Sequence, residues 1–135
     1  MEARFMLDTD ICVYIHKSKP ASVLEKLRKL AQGEAVLSSI TMGELIYGAV
    51  KSSQREAVLT RLAELETILP VVAVNRTAAE EYGAIRASLE AAGTPIGNND
   101  LWIAAHAKAL GLTLVTNNEK EFKRVRGLKV ENWAK

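Results

Sequence analysis

The sequence predicts an α/β fold, one domain spanning residues 1–135 with a mainly parallel central sheet of about four to five strands. Three observations point to it. Short runs of consecutive apolar residues, such as Phe5-Met6-Leu7 and Ala35-Val36-Leu37, suit strands buried on both faces better than alternating edge strands. Stretches with apolar residues at helical spacing separate these runs. Glycine and proline punctuate the junctions, leaving little linker.

In chain order, the first strand (Phe5 to Leu7) ends abruptly in Asp8-Thr9-Asp10. Ile11 to Ile15 follows at once, so a helix is expected from near Asp10, with Thr9 or Asp10 as its cap. Ser18-Lys19-Pro20 is a break, and Pro20 suits the first turn of the next helix. There Val23, Leu24, Leu27 and Leu30 recur on one face, Lys26, Arg28 and Lys29 lie on the other, and Gly33 is the stop signal. Residues 35–38 read as the second strand. Thr41 starts a helix continuing toward Lys51, and residues 53–69 form a long amphipathic helix ended by Pro70. Residues 71–74 are the third strand, and 77–92 a helix closed by Gly93. Residues 93–99 have loop chemistry throughout. Asp100 opens a helix running to Leu110 and stopped by Gly111. Residues 112–115 are a fourth strand, and a short helix around Phe122 leads to a fifth strand near Lys129-Val130. The chain contains no repeat and no low-complexity tract.

Composition bounds the function. A hydrophobic content of 48% and a charged content of 25% are ordinary for a globular protein. No apolar run approaches the roughly 20 residues of a membrane span. The N-terminus lacks a signal-peptide layout, so a cytoplasmic location without membrane contact is expected. Cys12 is the single cysteine and reads as a small core residue. A net charge of +2 does not by itself announce nucleic-acid binding.

Aspartate is rare, confined to Asp8, Asp10 and Asp100. Asp8 follows the first strand, and Glu44 lies in the first turn of the helix after the second. Asp100 lies at a helix start, and Asn117, Asn118, Glu119 and Glu121 follow the last clear strand. In a right-handed parallel sheet, loops leaving the strands gather at the edge where ligands bind. These positions would converge into a carboxylate cluster with amide and hydroxyl neighbours and without histidine or cysteine. Oxygen-only clusters suit Mg²⁺ or Mn²⁺ and fit metal-assisted phosphoryl chemistry. Each acid also has a structural reading. Asp8 and Asp10 fit turn and cap roles, and Thr41-Met42-Gly43-Glu44 fits a capping box, as do Ser53 with Glu56 and Thr77 with Glu80. Asp100 fits a charge that complements a helix N-terminus. Spacing alone leaves both readings open.

Four stretches together resemble the PIN-domain ribonucleases, most nearly the VapC-type toxins of bacterial and archaeal toxin–antitoxin pairs. They are Met6-Leu7-Asp8-Thr9-Asp10, the run from Ser39 through Thr41 and Glu44 to Gly48, the run from Thr94 through Asp100 to His106, and Val115-Thr116-Asn117-Asn118 continuing to Phe122. The similarity reaches from the first strand to Trp133. It implies a PIN-like α/β/α sandwich and places the family's metal-binding acids on Asp8, Glu44 and Asp100. The fourth family position, often acidic, falls on Asn118, which removes a charge where a second metal would bind unless Glu119 or Glu121 substitutes. Thr9 and Thr116 match polar residues lining such sites. The activity implied is that of a Mg²⁺-dependent endoribonuclease, with Mn²⁺ able to substitute. It would cleave RNA, tRNA anticodon loops among the family's substrates, by metal-activated water, leaving a 5′-phosphate and a 3′-hydroxyl and inhibiting translation. The partners implied are a VapB-like antitoxin, a second copy in a homodimer, and operator DNA reached only through the antitoxin.

Cations would have to flank such an acidic cluster to admit RNA, and Lys17, Lys19, Lys26, Arg28, Lys29, Arg86, Lys120, Lys123, Arg124 and Arg126 are candidates. His16 and His106 read as surface and core residues, although a metal-free two-histidine ribonuclease is an alternative. Trp102 reads as packing, and Tyr14 and Tyr47 as walls of an apolar groove between early helices that would accept the antitoxin. Leu7-Asp8-Thr9-Asp10 with Leu37-Ser38 also resembles haloacid-dehalogenase-type phosphatases, with Asp8 as nucleophile and Asp10 as acid. A non-catalytic protein-binding module, its acids only capping helices, is the remaining alternative.

Overall fold

A computed structural model of the chain describes residues 2–135. Five strands, β1 (Phe5–Leu7), β2 (Ala35–Ser38), β3 (Val71–Val72), β4 (Thr113–Val115) and β5 (Val130–Glu131), form one sheet in the order β3-β2-β1-β4-β5. Every neighbouring pair is parallel, so the expected mainly parallel sheet is wholly parallel. The helices are α1 (Thr9–Lys17), α2 (Ala21–Arg28), α3 (Ser39–Lys51), α4 (Arg55–Ile68), α5 (Arg76–Ala91), α6 (Asn98–Leu110) and α7 (Glu119–Phe122).

The consecutive apolar residues of the strands divide between two cores, because successive side chains point to opposite faces. Met6, Val36 and Leu114 pack with Ile85, Leu101, Ile103 and Phe122 of α5, α6 and α7. Phe5, Leu7, Leu37 and Val115 pack with Ile11, Cys12, Val23 and Trp133 on the other face. Each fully buried side chain of this size contributes about 1.5–3 kcal/mol, enough to hold strands of two to four residues in place. The result is the three-layer α/β/α sandwich. Among the described residues no helix is long and apolar enough to cross a membrane.

Helix starts differ from those the sequence suggests, because the cap is whichever side chain reaches the first free amides. Asp8, rather than Thr9 or Asp10, caps α1 and accepts from the Thr9 amide at 2.8 Å. Ser38 caps α3 through the Ile40 amide at 3.1 Å, so Thr41 is buried inside the helix and its capping box with Glu44 does not form. Asn75 caps α5 through the Ala78 amide at 3.1 Å, which displaces the box of Thr77 and Glu80. The cap position of α4 is Gln54, and the box of Ser53 and Glu56 is also absent. Pro20 occupies the cap position of α2 rather than its first turn, and α2 ends at Arg28 instead of reaching Gly33. Gly33, at φ +89°, makes the turn into β2. α6 opens at Asn98, two residues before Asp100.

The chain adds β2 and β3 on one side of β1, then crosses to the other side for β4 and β5. A crevice therefore opens at the C-terminal ends of β1 and β4, the position where such sheets bind ligands.

Candidate active site

Asp8 stands at the end of β1 in that crevice and is 6% exposed. One carboxyl oxygen accepts from the Thr9 amide at 2.8 Å and the other from Thr116 Oγ1, just past β4, at 2.8 Å. The carboxyl is thereby fixed from both sides of the crevice. Because α3 begins at Ser39, Glu44 falls in its second turn rather than its first. Its Oε1 accepts from Thr9 Oγ1 and its Oε2 from Asn99 Nδ2 at 3.2 Å, which joins α1, α3 and α6 at one point. Asp100, in the first turn of α6, shares a hydrogen bond with Glu121 of α7. Asn118 donates from its backbone to Thr116 Oγ1 and from its side chain to Glu121 Oε2, both at 3.0 Å.

Electrostatics tie these groups together. Burial, reinforced by the charges of Asp10 and Glu44, pushes the Asp8 carboxyl up to about 6. Asp100 is pushed up to about 8 by burial, by its bond with Glu121 and by the charges of Asp8, Glu121 and Glu44. Glu121 is held below the usual range by that same bond from Asp100, so the proton of the pair resides on Asp100. Burial also raises Asp10, whose Oδ2 accepts from the Asn117 amide at 3.0 Å while Oδ1 is buried without a partner. The acids stand near enough for each charge to oppose the ionisation of its neighbours. Among the described residues, no three carboxyl, imidazole or thiol groups stand ready to hold a single ion.

Of the residues singled out in the sequence, Asp8, Glu44 and Asp100 meet at this edge, and Asn118 joins them through Glu121. Glu119 turns away to pair with Lys135 and with Lys123 at 3.7 Å. Of these two acids, Glu121 is thus the one beside Asp100 and Asn118. Three of the ten candidate cations, Arg86, Lys123 and Arg124, are engaged elsewhere. Arg86 bonds Glu90 at 3.0 Å and Tyr82 at 2.9 Å, and Arg124 donates to the Pro95 carbonyl at 3.1 Å. His106 is buried, its Nδ1 2.8 Å from Ser38 Oγ, and burial lowers its pKa. His16 is exposed beside Arg61, so neither histidine bonds the acids. Burial pushes the Cys12 thiol up, in keeping with a core residue. Trp102 stacks on Tyr82, ring centroids 3.9 Å apart.

An apolar groove of about 420 Å³ runs between α1, α3 and α4, walled by Val13, Leu45, Val58, Leu62 and Leu65, and it reaches Thr9 and Glu44. Tyr14 and Tyr47 do not line it. The 3.6-residue turn puts Leu45, Gly48 and Ala49 on the groove side of α3 and leaves Tyr47 outside. The Tyr14 hydroxyl instead accepts from Asn117 Nδ2 at 2.9 Å.

Comparison with known proteins gives concordant matches. The PIN domain family model matches residues 5–128. The chain is 46% identical over 131 residues to the tRNA(fMet)-specific endonuclease VapC of Shigella flexneri, covering 97% of this chain and 98% of that one. It is 44% identical over 132 residues to Ribonuclease VapC2 of Rickettsia felis, with the same coverage. Among solved structures, VapBC2 from Rickettsia felis bound to a DNA fragment from its promoter superposes with a TM-score of 0.90 at 42% identity, covering 98% of this chain and 99% of that chain. DNA-bound VapBC from Salmonella typhimurium superposes with a TM-score of 0.92 at 42% identity, covering 97% and 98%.

Proposed function

The chain belongs to the PIN-domain family, and from that premise we propose that it is a metal-dependent endoribonuclease, the toxin of a VapBC-type pair neutralised by a VapB-like antitoxin. The observation that carries the metal-dependent reading is the convergence of Asp8, Glu44, Asp100 and Glu121, with the two aspartates pushed up to about 6 and about 8. Near neutral pH a bound cation would favour the fully ionised form of such a cluster. The donor set fits Mg²⁺ or Mn²⁺: every group is an oxygen, and Asp10 Oδ1 is buried with no hydrogen-bond partner. Mg²⁺ keeps several waters, so few protein ligands are needed.

In this reading Asp8 and Asp100 hold the ion, Glu44 holds it directly or through water, and Glu121 supplies the charge that Asn118 lacks. Thr9 and Thr116 fix the carboxylates of Glu44 and Asp8 in orientation. When bound, the metal would polarise a phosphodiester and lower the pKa of a water for in-line attack. The product would carry a 5′-phosphate. The groove beside α4 would seat the antitoxin, close enough to Thr9 and Glu44 for a bound partner to obstruct the acids. The family match favours this reading over the dehalogenase-type phosphatase and the non-catalytic module.

The name of the Shigella flexneri relative makes initiator tRNA the first substrate to test. Purified protein is expected to cut it with Mg²⁺ or Mn²⁺ and to stop in EDTA. Full cleavage in EDTA would reject the mechanism and return attention to the histidines.

A further inference from the structure

A second cleft opens directly off the acids, on the side of Glu44 away from the apolar groove. It encloses about 650 Å³ and is lined by Ser39, Ile40, Gly43, Glu44, Tyr47 and Asn99. Tyr47 is 66% exposed, more than Ile46, Val50, Ile68 or Leu110. Side chains on a helix lean toward its N-terminus, over the residue four positions earlier. For Tyr47 that residue is Gly43, which leaves the preceding turn bare. Lys51, one turn later, brings its ammonium to 5.5 Å from the ring centroid.

Packing does not require the glycine. A Cβ at Gly43 would meet nothing within 4 Å, and its backbone is helical with no positive φ. Glycine in a helix interior is destabilising relative to alanine. A bare position in the wall of a cleft beside a candidate active site is what close approach by a ligand requires.

We propose that this cleft is a stacking slot for an unpaired RNA base next to the scissile phosphate, with Tyr47 as its platform, Gly43 as its floor and Lys51 near the backbone. The proposal rests on the ribonuclease reading and deepens it. Stacking on an aromatic ring tolerates any base but requires it to be unpaired, so the slot selects loops and single strands over duplex. A second copy of the chain is the competing occupant, since Ile46 and Val50 extend the exposed apolar stripe. The cleft itself argues against it: Ser39, Asn99 and the acid Glu44 are poorly suited to the dry centre of a protein interface, and Glu44 belongs to the candidate site.

The test compares Gly43→Ala, Tyr47→Leu and Tyr47→Phe with the wild type, using initiator tRNA and a short mixed-sequence RNA offered single-stranded and as duplex. Tyr47→Leu is expected to raise KM about ten-fold with kcat little changed, and Tyr47→Phe to behave as wild type. Gly43→Ala is expected to raise KM while also raising the melting midpoint, which separates lost substrate room from lost folding. Wild-type KM in both Gly43→Ala and Tyr47→Leu would overturn the slot and leave the ribonuclease reading standing. Unchanged KM with a change from dimer to monomer in Tyr47→Leu would assign the patch to a second copy instead. A wild-type protein that neither binds nor cuts these RNAs would defeat both readings together.

Discussion

Asp100 and Asp8 store the charge problem of the site in their protons. In an unfolded chain aspartate titrates near 3.9, whereas in the fold Asp8 is pushed up to about 6 and Asp100 to about 8. Between those limits the folded protein binds more protons than the unfolded chain, so its stability falls as pH rises. The stabilising contribution of the neutral carboxyls is complete below about pH 4 and gone once pH has passed through about 8. Groups with lowered values act in the opposite sense: the contributions of Glu34 and Glu119 are complete above the ordinary glutamate range, and that of the buried His106 is complete above the ordinary histidine value of about 6.5. Above about pH 6.5, where His106 is neutral in both states, the metal-free protein is therefore expected to melt at progressively lower temperature up to about pH 9. Added Mn²⁺ should flatten the upper part of that curve, because the ionised acids are the form that binds a cation. Thermal melts in EDTA and in Mn²⁺ across this range check both halves. A flat metal-free profile would mean that the acids do not burden one another.

Ser38 shows what a single element boundary can hold. It caps α3 through the Ile40 amide, and its hydroxyl also lies 2.8 Å from Nδ1 of the buried His106, which ties α3 and the end of β2 to α6. Ser38→Ala would leave a first-turn amide without its cap and a buried imidazole without its partner. The expected loss is about 2 kcal/mol or more, read from urea denaturation; a variant as stable as wild type would show that water replaces both bonds. The strands were legible in the sequence because Phe5-Met6-Leu7, Ala35-Val36-Leu37 and Leu114-Val115 are runs of consecutive apolar residues, a pattern imposed by helices on both faces. Most of the caps were not. The structural reading of Asp8 as a cap holds, but none of the three capping boxes forms: Ser38 and Asn75 cap α3 and α5 upstream of Thr41 and Thr77, and Gln54 stands at the start of α4 without a side-chain cap. Local pattern records which residues are able to cap, whereas tertiary packing decides where the helix begins. The convergence of Asp8, Glu44 and Asp100 was legible from strand–helix alternation. That Glu121 bonds Asp100 while Glu119 pairs with Lys135 was not, because it depends on how α7 folds back against α6.

At the scale of the whole molecule, the sheet order opens a crevice between β1 and β4, and the helix packing opens a groove on α4 that ends at the same acids. The two are joined through Thr9 and Glu44, whose side chains bond each other and line the groove. A protein seated in the groove therefore presses on the residues that would organise the metal. α4 also has no fully buried side chain, although Val58, Leu62 and Leu65 face the groove. A helix whose apolar face is left half covered is suited to completion by a partner. Leu62 is only partly buried, so a charge there would burden the free protein little while placing an unpaired carboxylate in the centre of a docked interface. Leu62→Glu is thus expected to keep RNA cleavage and its melting midpoint near wild type. In cells, co-expression of its VapB-like antitoxin should no longer restore growth, and the antitoxin should no longer co-purify with the variant. Full neutralisation of Leu62→Glu would place the antitoxin on another surface and leave this groove without its proposed occupant.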